Sequence, residues 1–295
     1  MKIITLNTHS LIEPGYVQKR EAFLQVLLRE QPDILAMQEV NQTVQAEVLS
    51  REMLGGSGYV PCPRAECPVR EDNHAAWLAQ RLAECGTVYS WSWLPAKLGY
   101  GKYDEGVALF SRSPVREAEG LCISRTDDYQ NWKTRKVLGI RTEQPLGWFY
   151  TVHMGWWEDE EEPYRSQWQV LNAHLGEKKS AGCPAWVMGD FNSPSAVRGQ
   201  GYDLVCESGW YDTYTLAREK DDGITVAGEI DGWRGQPGTK SGKSGNEEKE
   251  KTDKGMRIDH IFCSLPISVL RSRVICSGKR EPQVSDHYGV MIEAE

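Results

Sequence analysis

A short apolar run, Ala185-Trp186-Val187-Met188-Gly189-Asp190-Phe191-Asn192, ends in an acid and an amide. Apolar residues of this number, closed by a glycine, predict a buried β-strand. Side chains alternate along a strand, so Asp190 and Asn192 are expected to project from the same side. The sequence therefore predicts a strand that carries a carboxylate and an amide to one edge of a sheet.

The same arrangement recurs from one end of the chain to the other. Six more segments place polar groups beside a strand-like run: Thr5-Leu6-Asn7-Thr8-His9, Gln38-Glu39-Val40, Asp104-Glu105-Gly106, Val152-His153-Met154-Gly155, Arg257-Ile258-Asp259-His260 and Ser285-Asp286-His287. Strand ends that meet at one edge can gather such groups into a single pocket. Carboxylates, an amide and two histidines in one place suit a hard metal ion and an attacking water.

Together these segments resemble the endonuclease/exonuclease/phosphatase superfamily, which holds pancreatic-type deoxyribonucleases, abasic-site endonucleases, inositol polyphosphate 5-phosphatases and bacterial sphingomyelinases. One segment alone occurs by chance, but all of them stand in the family's order between Lys2 and Ile292. Two stretches, Asp127-Asp128-Tyr129-Gln130-Asn131-Trp132-Lys133-Thr134-Arg135-Lys136 and Val152-His153-Met154-Gly155-Trp156-Trp157, are similar to bacterial maltose 6'-phosphate phosphatases. The resemblance implies a four-layer α/β/β/α sandwich of two mixed, mainly antiparallel sheets.

The hydrophobic pattern also fits two packed sheets, with inward apolar residues from strands such as 34–37 and 187–189. Because the segments span both halves, we expect residues 1–295 to form a single domain. Helical spacing predicts helices at 16–29, 43–53 and 196–208, and Asn73 is expected to cap another. Residues 219–256 are rich in Gly, Lys, Glu and Asp, which predicts a mobile insertion loop.

The resemblance implies a metal site at the strand ends. It makes Glu39 the main ligand, with Asn7 and Asp286 beside it. Oxygen ligands without cysteine favour Mg²⁺, with Mn²⁺ as the alternative.

The resemblance also implies a catalytic set. His287 would activate the attacking water or contact the phosphate, oriented by Asp259. His153 would donate to the phosphoryl oxygens, oriented by Glu105. Asp190 would orient or deprotonate the water, and Asn192 would hydrogen-bond a phosphoryl oxygen. His260, His9 and His174 are interpreted as structural, packing or surface residues.

Cationic and aromatic residues outside this set are candidates for substrate binding. Cations can hold a phosphomonoester and flat rings can stack on a sugar face. The candidates are Lys133, Arg135, Trp156, Trp157, Arg165, Trp233 and Arg234.

Composition narrows the substrate class. The net charge is −8, whereas non-specific nucleic-acid binders are usually basic, so extended nucleic acid is an unlikely partner. No apolar run reaches membrane-spanning length, no signal peptide is evident, and eight scattered cysteines suit a cytoplasmic protein. The favoured function is a metal-dependent phosphatase for a small phosphorylated sugar such as maltose 6'-phosphate. The alternatives are a Mg-dependent nuclease or abasic-site endonuclease, and a catalytically inactive binding module.

Overall fold

The computed structural model describes residues 1–180, 183–228 and 255–295. Its strands are β1 Lys2–Asn7, β2 Ile34–Thr43, β3 Ser90–Gly99, β4 Tyr103–Ser111, β5 Glu117–Cys122, β6 Lys136–Glu143, β7 Leu146–His153, β8 Ala185–Asp190, β9 Tyr211–Asp212, β10 Glu219–Lys220, β11 Asp259–Cys263, β12 Val269–Ile275 and β13 Gly289–Ala294. Its α-helices are α1 Tyr16–Glu30, α2 Arg51–Gly56, α3 His74–Glu84, α4 Tyr164–Ser180, α5 Gly201–Glu207 and α6 Thr213–Leu216, and a short 3₁₀ helix spans Ser10–Ile12.

The strands form two mixed sheets. One has seven strands in the order β10-β12-β13-β1-β2-β4-β3, and the other has six in the order β5-β6-β7-β8-β11-β9. Most neighbours are antiparallel, while β1 and β2, β10 and β12, and β7 and β8 run parallel. With helices on the outer faces, the predicted α/β/β/α sandwich is confirmed.

Strand periodicity sorts the apolar residues into layers. Ile3 and Ile34 point to the core shared by the two sheets, while their neighbours Ile4 and Leu35 point to the helices α1 and α3. On the six-stranded sheet, the Met188 side chain lies in the shared core, and the Val187 side chain packs against α4 and α5. Successive side chains face opposite sides, so one apolar strand serves two hydrophobic layers.

Two predicted helices are shorter than expected. Over residues 43–53 the prediction was wrong for 43–50: β2 stays paired with β4 as far as Thr43 opposite Tyr103, and α2 begins only at Arg51. Residues 196–200 lie outside α5, since the chain ahead of that helix bonds elsewhere: the Ser195 N–H donates to the Arg257 carbonyl at 3.1 Å. By contrast, the Asn73 cap is confirmed, as its side chain accepts hydrogen bonds from Ala75 and Ala76.

The 219–256 segment is held at both ends. Its first two residues form β10 on the edge of the seven-stranded sheet, and the Val226 N–H donates to the Met256 carbonyl at 3.0 Å. Residues 229–254 lie outside the described residues, so the mobility of the insertion stays a prediction.

Candidate active site

A cavity of about 300 Å³ opens at the edge where the two sheets meet. Its walls come from strand ends and from the loops beside them: His9, Glu39, Lys97, Gly99, Tyr100, Glu105, Trp132, Arg135, His153, Trp156, Asp190, Asn192, Asp286 and His287. The strand-end groups predicted to converge do so. The polar groups come from both sheets, so this cavity exists only when the sandwich is assembled.

Three adjacent strands carry the centre of the site in one row. His153 at the end of β7 lies opposite Asp190 at the end of β8, and Asp190 lies opposite Asp259 at the start of β11. Since β11 runs antiparallel to β8, its first residue meets the last residue of β8. Asp190 is therefore central, and it is almost fully buried.

The backbone around the cavity is locally strained. His9, Glu39, Tyr100 and Asn192 all have positive φ angles, between 46° and 51°, which residues other than glycine rarely adopt. The pairing of β2 with β4 also shifts register between Met37 and Val40. This irregularity breaks the strand alternation at Glu39 and turns its carboxylate into the cavity.

His287 and Asp259 form a buried pair. The Nδ1–H of His287 donates to Asp259 Oδ2 at 3.0 Å, which leaves Nε2 at 3.8 Å from Asp190 Oδ2. Burial favours the neutral ring, but the charges of Asp259 and Asp190 outweigh it and raise the pKa of His287 well above its usual value. Burial also raises the pKa of Asp190 to about 7, although the charge of His287 acts in the opposite direction.

His153 has the opposite electrostatic character. Its Nε2 lies 3.6 Å from Asp190 Oδ2 and 4.0 Å from Glu39 Oε1. Burial, and then the charges of Arg135 and Lys97, lower the pKa of His153 well below its usual value. Its ring is therefore neutral, and one of its nitrogens carries a hydrogen to donate.

The structure corrects the predicted partner of His153. Glu105 lines the same cavity, but its Oε1 lies 3.1 Å from Lys97 Nζ. Within the described ranges no hydrogen bond or ion pair joins Glu105 to His153. Lys97 stands on the neighbouring strand β3, which draws the carboxylate toward itself.

Asn7 ties the two sheets together beneath the cavity. Its Nδ2 donates to Glu39 Oε1 at 2.9 Å and to Asp190 Oδ2 at 3.1 Å, and its Oδ1 accepts from the His9 backbone N–H. In this geometry the amide nitrogen, and not the oxygen, faces the carboxylates. Asn7 thus positions two acidic groups from different sheets.

The donor chemistry fits a divalent cation. Burial, and then the charge of Glu105, raise the pKa of Glu39, although the charge of His9 acts in the opposite direction, so a bound cation would stabilise the ionised carboxylate. Asp286 lines the same cavity, and its Oδ1 lies 3.8 Å from His9 Nδ1. Carboxylate oxygens are the ligands that Mg²⁺ or Mn²⁺ accept in such a site. Glu39 and Asp286, which both line the cavity, are the residues that could hold the ion.

The interpretation of His9 as a packing or surface residue was wrong. Its side chain is 13% exposed, lines the cavity, and bonds to Glu13 Oε1 at 2.9 Å. Burial opposes protonation, but the Glu13 hydrogen bond and the charges of Glu39 and Asp286 raise the pKa of His9 to about 9. Its spacing of two residues from Asn7 is the sequence signal that could have found it.

The substrate-binding candidates divide into two groups. Arg135 and Trp156 line the cavity, and Trp132, which the sequence analysis did not select, joins them. The rings of Trp132 and Trp156 are 5.6 Å apart, and the Arg135 guanidinium lies 5.7 Å from the Trp156 ring centre.

Three other candidates, Lys133, Trp157 and Arg165, do not line the cavity. Lys133 forms ion pairs with Asp159 and Glu161. The Trp157 ring packs against Tyr164, with the Arg165 guanidinium 5.1 Å above it. The prediction that these three residues contact the substrate is therefore corrected, because their side chains bind to acidic and aromatic neighbours outside the cavity. Trp233 and Arg234 lie outside the described residues.

Asn192 and His260 complete the site. The Asn192 side chain lines the cavity and donates to the Met154 carbonyl at 2.9 Å, while its backbone N–H donates to Asp190 Oδ1 at 2.8 Å. His260 faces away and bonds to Arg257 and to the Ser193 carbonyl, in agreement with its structural interpretation.

Comparison with known proteins identifies the family. Residues 4–287 match the Endonuclease/Exonuclease/phosphatase family. The chain belongs to this family. Members of the Endonuclease/Exonuclease/phosphatase family hydrolyse phosphoesters and generally depend on a divalent metal, so this chain is a phosphoester hydrolase. No curated protein matches the sequence.

Solved structures of the family resemble this one along the whole chain. A family protein from Leptotrichia buccalis is 26% identical with a TM-score of 0.79, covering 100% of this chain and 99% of that one. A mannosyl-6-phosphatase from Bacteroides thetaiotaomicron is 16% identical with a TM-score of 0.62, covering 100% and 99%. A 3'-5' exonuclease from Neisseria meningitidis is 19% identical with a TM-score of 0.61, covering 100% of both. The last two likenesses concern the fold alone.

In the described part of the chain, no helix is both long and apolar enough to span a membrane.

Proposed function

We propose that this family member is a metal-dependent phosphatase that removes phosphate from a small phosphorylated sugar, of the kind represented by maltose 6'-phosphate. One observation carries the proposal. The acidic, histidine-bearing floor of the cavity continues directly into a buried arginine, Arg135, and a pair of tryptophans, Trp132 and Trp156. A floor of this kind suits phosphoester hydrolysis, and the adjoining wall suits a sugar.

The floor residues divide the chemistry among themselves. Water would attack phosphorus in line with the leaving sugar oxygen. Asp190 has a pKa close to neutral and is central, so it is the group that accepts the proton from water. His287, charged and fixed by Asp259, faces Asp190 and is placed to donate to a phosphoryl oxygen. Neutral His153 and the Asn192 amide would donate to phosphoryl oxygens as charge grows there.

A divalent cation held by Glu39 and Asp286 would supply positive charge next to those oxygens. Mg²⁺ is the expected ion, with Mn²⁺ as the alternative.

Two buried N–H groups in the adjoining wall support a polar ligand. In the described structure, neither Trp156 Nε1 nor Arg135 Nε has a hydrogen-bond partner. Buried hydrogen-bond donors are rarely left unpaired, so acceptor atoms of a bound substrate would form hydrogen bonds with these two N–H groups. Sugar hydroxyls and phosphate oxygens are such acceptors. The exposed ring of Trp132 offers a face on which a pyranose can stack.

The proposed compartment is the cytoplasm. All eight cysteines are free. Free thiols are typical of a reducing compartment, where phosphorylated sugars would also be available to this enzyme.

The test is a panel of phosphate esters assayed with Mg²⁺: maltose 6'-phosphate, glucose 6-phosphate, inositol phosphates and abasic DNA. We expect a sugar phosphate to have the highest kcat/KM. A His153→Ala variant, purified in parallel, is the control for contaminating phosphatases, and its turnover should fall by about two to four orders of magnitude. Efficient cleavage of abasic DNA with little sugar phosphate hydrolysis would establish the nuclease alternative.

A further inference from the structure

Two buried cations, Lys97 and Arg135, line the cavity beside its acidic floor. Lys97 is 7% exposed and Arg135 is 3% exposed. Lys97 is paired with Glu105, whereas Arg135 Nη1 donates only to the carbonyls of Trp132 and Thr134 among the described residues. No described carboxylate lies within ion-pair distance of the Arg135 guanidinium. A buried charge without a partner is costly, so a bound anion would stabilise it.

The two cations also lie close enough to oppose each other. Burial, and then the charge of Arg135, lower the pKa of Lys97, while Glu105 acts in the opposite direction. Burial likewise lowers the pKa of Arg135, and among the carboxylates Glu105 opposes this most strongly. Glu105 is the only described carboxylate that is ion-paired with either cation, so the wall itself carries one positive charge in excess, next to the acidic floor that contains Glu39 and Asp190.

The excess charge matches a property that separates phosphomonoesters from phosphodiesters. A monoester carries about −1.5 to −2 charges near neutral pH and exposes three free oxygens. A diester carries a single negative charge and has two free oxygens. Guanidinium binds two oxygens in one plane, and a lysine ammonium acts as a point charge on a third.

We propose that Lys97, together with Arg135, makes the site select phosphomonoesters over phosphodiesters, with both cations bound to the terminal phosphoryl group. The inference rests on the proposed phosphatase function and adds Lys97 as a specificity-determining residue. Lys97 belongs to β3 of the seven-stranded sheet, whereas Arg135 immediately precedes β6 of the six-stranded sheet. Only the packing of the two sheets brings them to one wall.

A purely structural role for Lys97 gives a different expectation. If Lys97 only neutralises Glu105, removing both groups should restore what the loss of Lys97 alone removes. If Lys97 binds the substrate, the double variant should remain impaired. A double-mutant cycle of Lys97→Gln and Glu105→Gln separates the two roles.

The experiment compares p-nitrophenyl phosphate with bis(p-nitrophenyl) phosphate at saturating Mg²⁺. The diester is followed as a substrate where it is cleaved and as a competitive inhibitor otherwise. Lys97→Gln should lower kcat/KM for the monoester about 10- to 100-fold, the range for a hydrogen bond to a charged group. The constant for the diester should change far less. Lys136→Gln is the matched control, because Lys136 is equally buried and ion-paired, with Glu66 and Asp127, outside the cavity.

The possible outcomes separate the two proposals. Equal losses on monoester and diester, or recovery in the double variant, would overturn the role of Lys97 and leave the phosphatase function standing. A wild-type enzyme that cleaves diesters and no monoester would overturn both. If thermal melting shows that Lys97→Gln is poorly folded, Glu105→Gln is compared with the double variant, in which neither member of the Lys97–Glu105 pair is left without the other.

Discussion

His287 and Asp259 are joined by a 3.0 Å hydrogen bond between Nδ1 and Oδ2, in a wall where 3% of His287 and 1% of Asp259 are exposed. The bond fixes which imidazole nitrogen faces the cavity, and the carboxylate keeps the ring charged. Asp259 belongs to β11, while His287 lies in the loop that leads into β13. The pair therefore connects the two sheets at the site itself.

The first prediction concerns this pair. His287→Ala should lower kcat by about two to four orders of magnitude, because a charged donor facing Asp190 is lost. Asp259→Asn should have a smaller effect in the same direction, since the ring stays in place but loses the carboxylate that keeps it protonated. Steady-state kinetics on a sugar phosphate measures both. Wild-type turnover in His287→Ala would remove His287 from the mechanism.

The second prediction concerns Glu39. Glu39→Gln should abolish Mg²⁺-dependent hydrolysis while the fold is retained, because the charge is lost at the irregularity within β2 without a change in packing volume. Isothermal titration of Mg²⁺ into the variant should show weakened binding, and the circular dichroism spectrum should match wild type. Near-normal activity at limiting Mg²⁺ would show that Glu39 is not the ligand.

The third prediction follows from the raised pKa of His9, about 9 in the folded protein. A histidine whose folded pKa exceeds its unfolded value, about 6.5, stabilises the fold fully below pH 6.5. That contribution is lost as the pH rises through 9, because the folded protein must then release the proton. In EDTA, the melting temperature should therefore fall between pH 6.5 and 9. His9→Gln should show a shallower fall; an identical pH dependence in both proteins would contradict the His9–Glu13 pair.

The fourth prediction separates the wall of the cavity from its surroundings. Trp132→Ala and Trp156→Ala, which remove the two rings of the cavity wall, should reduce kcat/KM for maltose 6'-phosphate much more than for p-nitrophenyl phosphate. Binding energy from the sugar contributes to turnover as well as to affinity. Trp157→Phe is the control, because Trp157 packs against Tyr164 outside the cavity walls and should change neither substrate. Equal losses of kcat/KM on both substrates would contradict the assignment of a sugar pocket.

Much of the architecture is visible in the sequence because strand alternation and strand ends are local signals. The run before Asp190 predicts both a buried strand and the edge at which its polar residues emerge, and the structure places them there. Local signals are weaker where long-range pairing competes. Residues 43–53 look helical, but their first residue continues a strand because β4 is available as a partner.

Partner choice among side chains was the part that sequence could not predict. By resemblance Glu105 was assigned to His153, but it pairs with Lys97, a residue without a motif of its own. Lys133 and Arg135 stand two residues apart and looked equivalent. Lys133 forms ion pairs with acidic neighbours outside the cavity, whereas Arg135 is buried in the cavity wall.

The sequence by itself determined the family, through motifs in the family's order, and with that resemblance the two-sheet sandwich. Hydrophobic period located the strand ends that carry acids, amides and imidazoles. Only the tertiary structure decided which groups meet. His9, Lys97 and Trp132 line the same cavity as the acidic strand residues, whereas Trp157 is left outside. The physical reason is that distances between residues on different sheets depend on how the sheets pack. Packing is a property of the whole chain, and no local segment encodes it.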